Sequence, residues 1–205
     1  DGTLKVLENG QAVINVGALT ANVENAGTVT AGTGTLTFNG AVAGNGGTFS
    51  GDSLTFSGVT SGTATVNAET AEYNMASEVV FGGTYGELTL DGGFKTVTGK
   101  TEVTGTFTNK SGVQVDGSLT LNGLAGVGEY HVSQNGMLVF KGDGTVAGSV
   151  TNSGTVEVNA LVSFGGGLSN LATGTLNLNA KGLNVTVADN AGVINVNAQN
   201  VTLSG

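Results

Sequence analysis

His131 is the only histidine in the chain. It stands in Glu129-Tyr130-His131-Val132, which alternates like a strand. An imidazole can act as a general base or a metal ligand, but each role needs partners. A zinc centre takes three or four His, Cys or carboxylate ligands, and the chain holds no second His and no Cys. A serine nucleophile needs a base and an orienting acid. No Gly-x-Ser-x-Gly turn is present, and Lys110-Ser111 is a lone adjacent pair. Carboxylate chemistry on a sugar needs two acids within roughly 5–10 Å. The outward acids of the pattern described below, Glu87 and Glu157, fall many residues apart. No Arg stands ready to hold an acidic sugar, and no Trp to stack on a pyranose. The Gly/Asp turns at Gly46-Gly47 to Asp52 and at Lys141-Gly142-Asp143-Gly144 are single, imperfect versions of a calcium-binding nonapeptide, which works in tandem. The expectation is a non-enzyme with no catalytic, cofactor-binding or metal-ligating residue and no cofactor; the sequence names no ligand.

The elements behind these residues repeat. A phrase of Gly, any residue, apolar, any residue, apolar, small polar, then Gly or Ala begins at Gly34, Gly62, Gly86, Gly117, Gly136, Gly154, Gly174 and Gly192. A variant begins at Asp52 and a ragged copy at Gly2. The later starts are spaced by 18 to 20 residues, a period that indicates stacked coils. Alternate residues of a strand face opposite ways. The apolar pairs are therefore expected inside, as one column: Leu36/Phe38, Leu54/Phe56, Ala64/Val66, Leu88/Leu90, Leu119/Leu121, Leu138/Phe140, Val156/Val158, Leu176/Leu178 and Ile194/Val196. Asn39, Asn67, Asn122, Asn159, Asn179 and Asn197 close the phrase, where Asn suits a tight corner and can bond along a stack. A second phrase, Asn-small-Gly-x-apolar, at Asn25, Asn152 and Asn190 marks another corner.

The predicted fold is all-β: a parallel β-helix (β-solenoid), right-handed by the rule for parallel crossovers, of about ten coils of 18–20 residues. Residues 1–205 form a single domain, with irregular coils or a loop insertion around 66–85, where the phrase spacing breaks.

Composition narrows the partners. The net charge is −9, with six Lys and no Arg, a poor surface for tracking phosphates, so nucleic acid is not expected. The apolar runs are too short to span a bilayer, so no membrane insertion by this segment is expected. No signal peptide is visible at Asp1, which reads as a mature or excised segment. Thr35/Thr37 through Thr63/Thr65 form a Thr-x-Thr series that would suit ice binding if it made one flat face, but Met137, Val139 and Glu157 break it later.

Tyr73-Asn74, then Tyr85-Gly86-Glu87-Leu88-Thr89-Leu90, then a Thr/Gly-rich strand pair, resemble repeats of large bacterial surface proteins of the autotransporter and filamentous-adhesin kind. The Asn-x-Gly-Thr-Val phrases at 25 and 152 resemble passenger repeats of the same proteins. The resemblance implies a β-helical stalk at the bacterial cell surface or secreted, with adhesion or biofilm roles and a host or bacterial receptor or glycan as partner. The expected function is thus an extracellular structural or adhesive module. The alternatives are a filament subunit associating end to end, a carbohydrate-active lyase or depolymerase, and an ice binder.

Overall fold

The computed structural model describes residues 2–15, 17–74 and 77–205. Their regular structure is entirely β. The strands pair in parallel with the turn before and the turn after, giving a parallel β-helix of eleven turns. Each turn visits three faces. Face A begins with Thr3–Val6 and Asn22–Asn25, and continues through Phe94–Val97, Gly112–Val115, Glu129–Val132, Val150–Asn152 and Leu168–Asn170. Face B begins with Gln11–Ile14 and Thr28–Ala31, and returns as Met137–Phe140, Thr155–Val158, Thr175–Leu178 and Val193–Val196. Face C begins with Ala18–Leu19 and Thr35–Phe38, and ends with Thr202–Ser204. Long strands such as Val42–Phe56 and Thr60–Tyr73 run through the corners. One turn takes from 17 residues (Gln11 opposite Thr28) to 20 (Thr155 opposite Thr175).

The repeated phrase does not build one column. Its copies at 34, 52 and 86 lie on face C, where Phe38, Phe56, Tyr73 and Leu90 stack in register. Its copies at 117, 136, 154, 174 and 192 lie on face B, where Leu121, Phe140, Val158, Leu178 and Val196 stack. The copy at 62 reaches face B through Val66, between the face C copies at 52 and 86, and this alternation of face makes the spacing uneven. Across it the backbone steps regularly: Thr65 sits opposite Gly82, and Tyr73 opposite Leu90. Met75 and Ala76 lie outside the described residues.

No single turn can bury its own apolar side chains; the stack does it for all of them. The interior is filled from Val6 to Val185. Its densest part is aromatic. Phe38, Phe56 and Tyr73 stack with centroids 5.2 and 4.6 Å apart, and Phe49 and Phe81 meet Phe56 edge-on at 5.8 and 5.6 Å, the two arrangements a ring quadrupole favours. Tyr73 and Tyr85 share a buried hydrogen bond of 3.0 Å, and the Tyr85 hydroxyl donates to the Phe81 carbonyl at 2.6 Å. Burial pushes both phenols above their ordinary range, so they remain neutral donors.

Corners carry asparagine. Asn152 and Asn170 are buried at the end of face A. The Asn152 amide donates to Asn170 Oδ1 at 2.8 Å, and the Asn170 amide to Asn190 Oδ1 at 2.9 Å. Asn152 Oδ1 accepts the Gly154 N–H two residues on, as Asn25 Oδ1 accepts that of Gly27. A second ladder, Asn159–Asn179–Asn197, runs along the surface at 2.7 and 2.8 Å.

Candidate functional site

Parallel register places residues one turn apart side by side, roughly 4.8 Å away. A site on such a rod is therefore assembled from residues about eighteen apart in sequence, and the residues singled out above can be located on that lattice.

Glu87 points outward on face C in the fifth turn, and Glu157 on face B in the ninth. The fold does not bring them together. Glu102 shares the Glu157 column, three turns away through Thr120 and Val139, and pairs with Lys141 at 3.2 Å. Lys110 is bound to Asp91 at 2.8 Å; the ammonium holds the Asp91 carboxyl below its usual range, and the carboxylate raises Lys110 in return. Asp143 accepts the Leu161 N–H at 2.8 Å, so that acid holds a corner. Among the described residues no group of three or more His, Asp or Glu side chains converges as a metal site would require.

The threonine series divides between faces. Thr35/Thr37 stack on Ser53/Thr55 along face C. Thr63 and Thr65 pair with Asn45 and Thr48, at the face A–B corner. The face C ladder continues instead through Thr70, Thr89 and Thr108, with Glu72 and Glu87 interrupting it.

His131 points outward on face A, in a column of Thr96, Gln114, His131, Thr151 and Ser169. Its Nε2 lies 3.4 Å from the Glu129 carboxylate. Its ring meets Phe94, centroids 5.1 Å apart at 66°. Phe94 belongs to an outward column, Phe94–Gly112–Glu129, and reaches down across Gly112 to the histidine. Gly112 makes this possible, since a Cβ there would lie 2.6 Å from the ring's Cζ. His131 itself lines an open groove of about 410 Å³ that spans the turns from Gln114 to Thr173, with Ser133, Thr151 and Ser153. Gln114 donates to Asp116 at 3.0 Å at its edge.

Phe94 was not singled out by its sequence, yet a signal was present. Val97 must face inward, because it stacks on Val115. Strand parity then sends Lys95 inward and Phe94 outward. The structure shows this inversion: Lys95 is fully buried, its ammonium turned back to the Gly92 carbonyl, while Phe94 is 51% exposed. Burial pushes the Lys95 ammonium below its ordinary value, partly opposed by Asp91. The other ten aromatic side chains are buried.

A second open depression, of about 310 Å³, lies among Gly144, Leu161, Val162, Ser163, Leu183 and Asn184; none of these side chains ionises.

No protein-family model matches the chain, and no curated protein or solved structure matches it.

Proposed function

We propose that this chain is a structural and adhesive module of a bacterial surface protein, a rigid rod that acts as a stalk outside the cell. The observation that carries the reading is the uniform stack. The turns from Val6 to Val185 share one filled interior, their outward acids are dispersed over different faces and turns, and eleven turns give a length of roughly 50 Å. Such a body separates what lies at its two ends. The resemblance to bacterial surface repeats supports the same reading. Its Tyr-Asn and Tyr-Gly-x-Leu-x-Leu phrases have a packing role here, since Tyr73, Tyr85, Leu88 and Leu90 all face the core. Such a phrase is a recipe for extending a stack.

A filament built end to end is the second reading. Its support is the pairing itself: every turn adds to the one before in parallel register, and an identical turn of another copy could add in the same way.

Two observations test these readings. Antibody raised against the chain is expected to label intact source cells; labelling only after permeabilisation would remove the surface role. Electron microscopy of the purified chain is expected to give isolated rods for a stalk segment and continuous fibres for a filament subunit. Compact, isotropic particles would contradict both.

A further inference from the structure

We infer that the Phe94–His131 strip of face A is a binding site for a neutral oligosaccharide, lying along the rod axis. The inference deepens the adhesive reading and rests on it for its setting.

The first ground is the inverted strand. A lysine inside and a phenylalanine outside is the reverse of what burial favours, and departures from local rules collect at functional positions. Isolated exposed apolar residues are ordinary, but Phe94 is held in place. Its ring crosses Gly112, the one residue in that column without a side chain in the way, and meets the His131 ring at a steep angle. Phe94 stays about half exposed above Gly112. A sugar ring offers an apolar C–H face to such a surface, and a rigid aromatic supplies contact area with little loss of side-chain freedom.

The second ground is what surrounds the ring. Sugar hydroxyls both donate and accept, so they call for mixed partners. The strip offers the Gln114 amide beside the Asp116 carboxylate, and the His131 imidazole beside the Glu129 carboxylate. Beyond them the groove continues through the Thr151, Ser153 and Thr173 positions. From Phe94 to Thr173 the strip covers roughly 20 Å along the axis, enough for a chain of sugars rather than one.

Charge selects the class. Glu129 and Asp116 border the strip. Of the lysines nearby in the stack, Lys95 is bound to the Gly92 carbonyl and Lys110 to Asp91, and Lys100 stands beside Ser118 on the next face. A sialylated or uronate-bearing glycan would meet the Glu129 and Asp116 carboxylates, an added repulsion in a chain of net charge −9; a neutral one would not.

The test is an array of neutral oligosaccharides terminating in hexose or N-acetylhexosamine, with sialylated and uronate glycans as comparators, followed by titration of the best neutral binder. Wild type is expected to hold neutral glycans and leave the acidic ones. Phe94→Ala is expected to weaken binding roughly tenfold, about 1.4 kcal/mol. Gly112→Ala keeps the ring but pushes it off its seat, and is expected to weaken binding as well. Leu161→Ser removes an equally exposed apolar side chain (52%) elsewhere on the rod and is expected to change nothing. Absence of neutral-glycan binding, indifference to Phe94→Ala, or equal loss in Leu161→Ser overturns the inference. Rods seen on intact cells without glycan binding would remove the strip and leave the stalk standing; glycan binding by a chain absent from the cell surface would do the reverse.

Discussion

Replacing Asn170 by Val separates what a buried ladder contributes from what a surface ladder contributes. Asn170 is 1% exposed. Its amide donates to Asn190 Oδ1 at 2.9 Å and to the Val193 carbonyl at 3.1 Å, and its Oδ1 accepts from Asn152 at 2.8 Å. Valine fits the column, because Val97, Val115 and Val132 hold the equivalent position in earlier turns. Shape is therefore nearly preserved while three hydrogen bonds vanish. A net value near 1 kcal/mol each gives about 2–3 kcal/mol of destabilisation. Asn152 is left with the Thr175 carbonyl at 3.0 Å as a remaining acceptor, which holds the cost below that of a wholly orphaned amide. The comparator is Asn195→Ala. Asn195 donates to Asn177 at a similar 2.8 Å, but on the surface, where water replaces the bond; the expected cost is about 0–0.5 kcal/mol. Because a solenoid is a sum of turn and interface terms, global melting can hide a local effect. Amide hydrogen exchange of Gly154, Leu171 and Thr175 reads the affected corner directly. Equal protection losses in the two variants would refute the argument that burial sets the value of these bonds.

Three further outcomes follow from the same packing. Gly58→Ala and Gly142→Ala each drive a Cβ into a backbone carbonyl of the preceding turn, Gly40 and Asn122 respectively. Neither backbone can withdraw without opening the ladder, so a loss of about 2–4 kcal/mol in denaturant unfolding is expected, whereas Gly2→Ala meets nothing within 4 Å and is expected to be neutral. Tyr73, Tyr85 and Tyr130 are buried and all have raised pKa values, with desolvation the leading cause. The unfolded chain releases these protons first, near pH about 10; the stability they support is complete below that pH and is lost as pH climbs toward the folded values. Tyrosinate absorbance should therefore appear only together with loss of the β signal in circular dichroism; a tyrosine titrating normally in folded protein would contradict it. Lys95→Met replaces a desolvated ammonium by a flexible apolar chain in a column occupied next by Val113 and Tyr130. Thermal unfolding is expected to rise or stay level, by about 0–1 kcal/mol, and a clear loss would show that the bond to Gly92 outweighs desolvation.

The architecture was legible because period and parity survive in every turn. Gly-x-apolar-x-apolar reports strand alternation, and spacing near eighteen reports stacking, so an all-parallel coil follows. What the phrase could not report was its face. Leu36/Phe38 and Leu119/Leu121 read alike, yet they belong to different columns, since each face asks the same of its strand. The face C copy at Ala71 and Tyr73 was missed because Glu69 stands where the phrase has Gly. The Asn-x-Gly corner was legible in kind, through the Asx bond to the glycine N–H. That Asn152 and Asn170 turn inward and join across turns depends on register, which no local pattern encodes.

The same limit governs the candidate site, and shows how it can be overcome. Phe94, Gln114 and His131 share no motif; they are neighbours only because residues separated by one or two periods stack. Once Val97, Val115 and Val132 are fixed as the inward column, every other position of those strands is determined. Phe94 then falls outside and Lys95 inside against their own preferences. In a solenoid the informative residue is the one whose type disagrees with the parity its neighbours impose. Across these eleven turns that disagreement places the one exposed aromatic ring against the one histidine, on the strand face that also carries an axial groove.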